Sequence, residues 1–378
     1  MSRIGTFRAI FGPGWGMPGQ RHPRPDPTMF RYLAASLGPA ACLVLGAAFG
    51  GWWTVAALVS MTGFVAGMDR LTRGEAGRGG WLGALPVTLA GVHLALWLLA
   101  VAALSGAWGG VEGVAARLVL FCAFGVWFGQ VGNSVAHELI HAAKRWKARL
   151  GALLYASLLH GHHASAHRLV HHVHAGTAED PNTARLGEGF WRYLARAAAG
   201  EFRAGLRAET RRRSQRAGSR QGLHPYAGYL LASGGFLLVA LAIGGTSGLL
   251  WAVALGLYAQ MQLFLSDYVQ HYGLMRATDA TGRPEPMGAR HSWNAPHWYS
   301  GAMMLNAPRH SDHHVRPARA FDTLELDRET MPMLPRSLPV MAVLALWPRA
   351  WRRVMDRRVA RWQAPAADTP ADTRTAAE

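Results

Sequence analysis

The chain has 378 residues, half of them hydrophobic and only 16% charged, with a formal net charge of +17. That length would permit two or three soluble domains, but charge is sparser than the roughly 25% of an ordinary soluble domain, and the long apolar runs point to one membrane domain. Basic residues fill the gaps between those runs without forming a nucleic-acid motif, so no nucleic-acid partner is expected.

Residues 1–29 are rich in Gly, Pro and Arg and read as a disordered cytoplasmic tail. Residues 32–68 are almost uncharged and interrupted by Gly50 and Gly51, which fits two spanning helices joined tightly. Arg70, Arg73 and Arg78 follow. A third apolar run covers 81–105, and a fourth starts near Val114 and leads into Asn133, Ser134 and His137. The stretch 150–159 is apolar but too short to cross a bilayer, so it is expected to be re-entrant or packed on other helices. The arginine-rich stretch 203–220 reads as an exposed helix or loop near lipid headgroups.

Two more runs, 226–243 and 249–266, are joined by Gly244, Gly245, Thr246, Ser247 and Gly248. Residues 338–347 are apolar and short, more interfacial than spanning, and the tail after Gln363 reads as disordered. The three short turns on one side lack Lys and Arg, so the positive-inside rule gives about six transmembrane helices with both termini cytoplasmic. The expected class is an all-α integral membrane protein with a cytoplasmic histidine-rich cap. Its expected division is a tail at 1–29, a single membrane domain at 30–350 and a cytoplasmic tail at 351–378.

Histidine is the residue out of proportion. Seven of them fall between His160 and His174, and all but two of the chain's 18 lie between His137 and His314. Imidazole is costly to bury and a poor helix former, and it is the commonest protein ligand for metals. Four pieces contribute. His137 and His141 stand at i and i+4 near the end of the fourth run; His167, His171 and His172 form a second group. His271 ends the sixth run, and His310, His313 and His314 form the last group. A solvated histidine-rich loop is the plain alternative for 160–174 taken alone. The pattern from His137 through Glu138 to His141 is also the zinc-protease motif, which would need one zinc and leave two groups idle. A metal carrier would want ionisable residues along the spans, where only His93 and Arg117 occur. With two cysteines, Cys42 and Cys122, both in apolar runs, neither a Cys-ligated zinc site nor an iron–sulfur cluster can form.

These boxes, together with Glu179-Asp180-Pro181, His271-Tyr272-Gly273, His291-Ser292-Trp293-Asn294 and the run from Arg309 to His314, resemble the membrane-bound desaturase and hydroxylase superfamily. More narrowly they are similar to the alkane 1-monooxygenase group, which is related to xylene monooxygenase. The resemblance is strong over 133–319 and extends to the earlier spans by layout. It implies a centre of two non-haem irons held by His137, His141, His167, His171, His172, His271, His310, His313 and His314. His160, His162, His163, His174, His291 and His297 would be outer or structural. Carboxylates such as Glu138, Glu179, Asp180, Asp267 and Asp312 could orient ring N–H groups.

The implied activity is O2-dependent hydroxylation of a terminal or unactivated C–H bond of an alkane or alkyl chain that partitions from the membrane. The alternatives within the superfamily are a fatty acid desaturase or hydroxylase and a xylene-type monooxygenase. The resemblance also implies an inner-membrane location and electrons from a rubredoxin or ferredoxin fed by an NAD(P)H-dependent reductase. The basic cytoplasmic face, including 203–220, could steer such acidic carriers. Departures from the group are Ala166, where an acidic residue usually precedes the second box, Ala142 after the first box, and Gln270 before His271. They spare every candidate ligand and leave the substrate class open.

Overall fold

In the computed structural model, residues 27–72, 74, 82–215 and 222–363 are described. Their regular structure is helical, with two isolated bridges, Thr278 to Pro284 and Asn294 to Met333. Helix α1 (Pro27–Phe49) turns back through Gly50 and Gly51 into α2 (Trp52–Met61). The backbone breaks at Thr62 (φ −125°, ψ −87°) before α3 (Gly63–Leu71). Helix α4 (Leu85–Ser105) and helix α5 (Gly113–His141) come next.

Four helices, Met29–Phe49, Leu82–Ser105, Gly113–His141 and Pro225–His271, are long and apolar enough to cross a membrane. Phe49, Trp52, Leu230, Leu238 and Leu250 lie exposed on these helices and on α2, which suits a lipid-facing surface and not water. The chain is an all-α, multi-pass membrane protein.

Small residues let the helices approach closely. A Cβ on Gly46 would sit 3.2 Å from the carbonyl oxygen of Trp53, and one on Gly256 would sit 3.0 Å from that of Leu158. His93, the histidine placed inside a span, pairs with Ser157, whose Oγ is 2.9 Å from its Nε2, while its Nδ1 is buried without a partner.

The long segment α9 (Pro225–His271) is two helices meeting at a sharp corner. Gly244 (φ −131°, ψ 17°) and Gly245 (φ 58°, ψ −149°) leave helical geometry. A Cβ on Gly248 would run into the carbonyl oxygen of Ala240, whereas residues eight apart on an unbroken helix are about 12 Å apart. The chain therefore folds back on itself there. The Gly245 conformation is essentially closed to residues with a side chain. Gly245→Ala should cost about 1–3 kcal/mol, read as a lowered melting temperature of the detergent-solubilised protein. An unchanged melting temperature would contradict the geometry.

Around the ends of these helices that carry His141 and His271 sits a layer of shorter elements. Helix α6 (Arg145–Ser157) packs on the end of α5, where a Cβ on Gly151 would come within 2.7 Å of the carbonyl oxygen of Ala136. Helix α7 (163–174) carries the dense histidines, and α8 (Phe190–Ser214) buries Phe190, Tyr193, Ala197, Glu201, Gly205 and Glu209 along one stripe. Then come α10 (Trp298–Met303), α11 (His310–Val315), α12 (Leu338–Ala345) and α13 (Pro348–Gln363).

Several boundaries differ from those expected of the sequence. The first helix begins at Pro27, inside the stretch expected as a tail. Helix α13, most of which falls in the expected C-terminal tail, buries Trp351, Met355 and Val359; apolar residues every fourth position give a short helix one face to pack. The arginine-rich stretch 203–220 is helical up to Ser214. Residues 1–26, 216–221 and 364–378, including the rest of both expected tails, lie outside the described residues.

Candidate metal centre

Two of the histidine-bearing helices contain a π turn, and these turns set the geometry. In α5, Phe128–Gly132 is wound as π-helix just before His137 and His141. Its loosened carbonyls are recaptured: Asn133 Nδ2 donates to the oxygens of Gly129 and Ala259, both at 3.0 Å, and Ser134 Oγ donates to that of Gln130 at 2.7 Å. The second π turn is His167–His171 itself. Five residues make just over one turn of a π-helix, so His167 and His172 point the same way. Their Nε2 atoms are 2.9 Å apart, and His171 is turned toward a different set of partners.

The nine histidines of the four boxes fall into two groups. One holds His137, His141, His167, His172 and His313; the other holds His171, His271, His310 and His314; within each, one nitrogen per ring lies within 4.8 Å of all the others. The Nε2 of His167 is 2.9 Å from that of His137, and the Nε2 of His313 is 3.1 Å from that of His172. In the second group the Nε2 of His310 is 3.0 Å from that of His271 and 3.1 Å from that of His314. The Nδ1 atoms of His167, His172, His271, His310 and His314 are buried without hydrogen-bond partners.

Converging imidazole lone pairs repel unless a proton or a cation lies among them, and one N–H per neutral ring cannot serve four or five rings at once. Nitrogens about 2.1 Å from a metal and at right angles to one another are about 3.0 Å apart, the spacing seen here, so the residues fit a metal in each group. Burial first, then the neighbouring imidazoles, holds His167, His172, His310, His313 and His314 well below the usual histidine range. They are therefore neutral, the form that ligates.

The supporting contacts come from loops packed by the remaining motifs. Asn294 Nδ2 donates to Ser311 Oγ at 2.7 Å and Asn294 Oδ1 accepts from Ser311 N at 3.0 Å, so the 291–294 segment seats α11. The two residues after His271 anchor it: Gly273 N donates to Ala184 O at 2.9 Å and Trp293 Nε1 donates to Tyr272 O at 3.0 Å. Gly273 has φ +72°, and a Cβ there would press Val359 of α13 at 2.9 Å. Tyr272 Oη donates to Asp356 Oδ1 of the same helix at 2.6 Å.

Of the five carboxylates named from the sequence, Asp180 is the one that meets a ligand-group imidazole: His171 Nδ1 donates to its Oδ2 at 2.9 Å. Burial alone would raise the Asp180 pKa, but the His171 imidazole and the Thr183 hydroxyl hold it below the usual range. Reciprocally, burial would lower His171, and Asp180 raises it to about 9. A cation on Nε2 would displace the proton there and leave Nδ1–H on Asp180. Glu179 pairs with His174, Asp267 accepts from Asn182 Nδ2 at 2.8 Å, and Glu138 Oε1 accepts from Phe321 N at 3.4 Å. Asp312 is bound to Arg316, to Arg319 and to the N–H of Glu325, and so braces the loop after α11.

A cavity of about 100 Å³ reaches both groups, lined by His137, His167 and His310 and by the apolar side chains of Leu263, Leu338 and Ala342. Helix α12, too short to span, supplies the last two.

The fatty acid desaturase family model matches residues 112–345, which take in all nine histidines. The chain belongs to the fatty acid desaturase family. Within it, the chain is 31% identical over 233 residues to the alkane 1-monooxygenase of Pseudomonas putida, covering 61% of this chain and 57% of that protein. It is 32% identical over 262 residues to alkane 1-monooxygenase 1 of Alcanivorax borkumensis, covering 66% and 62%. It is also 32% identical over 249 residues to alkane 1-monooxygenase 1 of Pseudomonas aeruginosa, covering 64% of each. The chain thus spans less than two thirds of the length of these relatives.

Where the family member departs from its group's usual pattern, the structure shows what fills the place. Gln270 is buried and donates to Ala307 O at 3.1 Å while accepting from Ser266 Oγ. Ala166 packs against Gly205 of α8, where an added Cβ would come within 2.7 Å of the Ala166 Cβ. Sequence reasoning missed Glu201, which stands 2.8 Å from His163 Nδ1. Its place in the stripe that recurs at every fourth residue from Tyr193 to Glu209 was the available signal.

Proposed function

We propose that this chain is a membrane-bound non-haem diiron monooxygenase that hydroxylates an unactivated C–H bond of an alkane or alkyl chain. The observation that carries this reading is the pair of imidazole groups that reach one cavity, part of whose wall is the apolar side chains of Leu263, Leu265, Met304, Leu338 and Ala342. His137, His141, His167, His172 and His313 would hold one iron, and His171, His271, His310 and His314 the other. Two irons held by neutral imidazoles alone keep their positive charge and supply reductive activation of dioxygen.

The protein's own part is positional. Asp180 keeps the His171 ring turned so that Nε2 faces the second group. The π turn of α7 sends neighbouring histidines to different groups. Leu263, Leu338 and Ala342 offer an alkyl chain an environment like the one it leaves in the bilayer. Consuming O2 and two protons, the reaction needs two electrons from outside, since the sequence has no redox motif of its own. As the resemblance to the alkane 1-monooxygenase group implies, a rubredoxin or ferredoxin with its NAD(P)H-dependent reductase would be the source.

The fold-back at Gly244 and Gly245 and the α1 to α3 hairpin support six passes, with the histidine layer and both termini on the cytoplasmic side of the inner membrane. A zinc protease would use one metal with three protein ligands, and two groups of five and four imidazoles do not suit it.

Purified protein should contain about two irons per chain, measured by plasma mass spectrometry. One zinc with no iron would overturn the reading. Whole cells supplied with a rubredoxin system and a panel of alkanes, alkylbenzenes and fatty acids should release alcohols. Alkenes as the sole products would make the chain a desaturase.

A further inference from the structure

Beyond the nine converging imidazoles, one more set of ligand atoms among the described residues lies close enough to share an ion: His160, His162 and Glu201, all within 4.8 Å of one another. It shares no residue with the other two groups. His160 and His162 stand in and beside the turn that joins α6 to α7, and Glu201 projects from the buried stripe of α8.

His160 is 1% exposed and Glu201 3%. Neither ring nitrogen of His160 has a hydrogen-bond partner. A neutral imidazole carries one N–H and one lone pair, and leaving a buried polar atom unmet costs about 1–3 kcal/mol. The Nε2 of His160 lies 3.4 Å from Glu201 Oε1. That is long for a hydrogen bond with this acceptor, but two ligands of a tetrahedral zinc ion, each at about 2.0–2.1 Å, lie about 3.4 Å apart.

The carboxylate is already oriented for the task. His163 Nδ1 lies 2.8 Å from Glu201 Oε1, and Asn182 Nδ2 donates to Oε2 at 3.3 Å. Fixing of a ligating carboxylate by outer hydrogen bonds is usual around metals. The walls are aromatic: Phe264 lies 5.3 Å from the His160 ring and Phe202 lies 5.0 Å from the His162 ring.

We propose a third metal site in this protein, a divalent cation of the zinc class held by His160, His162 and Glu201, with a fourth position left to water. Two imidazoles and one carboxylate are a donor set that zinc accepts in tetrahedral geometry. The ion ties the turn before α7 to α8 and thereby fixes where the second histidine box begins. The site stands on its own residues and does not depend on the oxygenase reading.

The test is metal analysis of the full-length protein, purified in detergent without chelators from cells grown with iron and zinc. The wild type should carry about one equivalent of a non-iron d-block metal in addition to its iron. Glu201→Gln and His162→Ala should each lose that equivalent and keep the iron. X-ray absorption at the edge of the extra metal should give a nitrogen and oxygen shell with imidazole scattering. A wild type with no metal beyond its iron pair, or an extra equivalent that survives in both variants, would overturn the site. Wild-type analysis decides the matter even where a variant fails to fold, and iron content read in the same sample separates this result from the fate of the diiron reading.

Discussion

His167→Ala is expected to abolish product formation while the protein still inserts in the membrane. His167 is the meeting point of its group, with its Nε2 2.9 Å from those of both His137 and His172. Removing the ring takes away one proposed ligand and unseats the two beside it. Loss of an outer partner alone commonly costs about 10–100-fold in metal affinity or activity, so loss of this ring should exceed about 100-fold by the same scale. The membrane helices bury their apolar faces independently of the metal, so protein yield in the membrane fraction should be unchanged. Products would be followed by gas chromatography with mass spectrometry, and iron content should fall from two toward one. Wild-type-like product yield would contradict the assignment, and His313→Ala, on the other side of the same group, should behave alike.

Asp180→Ala should produce the next largest effect, and a selective one. Asp180 accepts from His171 Nδ1 at 2.9 Å, from Thr183 Oγ1 at 2.7 Å and from Asn182 N at 3.1 Å. Without it the buried His171 ring loses its Nδ1 acceptor and can rotate or change tautomer, which withdraws Nε2 from the second group. A loss of about 10–100-fold in hydroxylation rate is expected. Timed exposure to a chelator should strip one iron of the variant well before the other. Equal retention of both irons and a wild-type rate would show that His171 is held by something else.

The histidines that matter announce themselves in the sequence because their chemistry is costly anywhere else. Nothing in an apolar segment ending at His137 or His271 calls for an imidazole unless the side chain has a partner. How the nine divide was not legible. Helical periodicity treats His167, His171 and His174 as one face, and only the π turn reassigns His172 to the partners of His167. A π turn is set by packing and by recaptured carbonyls such as Gly129 O, which no side-chain pattern reveals. Glu201 was missed for a related reason: it lies just before the arginine-rich stretch 203–220 that reads as exposed, and its burial comes from the neighbours α8 meets. Glu138, Glu179, Asp267 and Asp312 sit in the right segments, yet tertiary contacts send their oxygens elsewhere. Proximity in sequence to a ligand says little about which way a carboxylate points.

Helix α13 leans on the third box from outside the span. Its Asp356 accepts from the Tyr272 hydroxyl, its Val359 fills the space that a side chain at 273 would need, and its Trp351 lies 5.3 Å from the Tyr272 ring. One peptide unit separates Tyr272 from His271. A displacement of α13 would therefore reach an imidazole of the second group through a lever only one residue long.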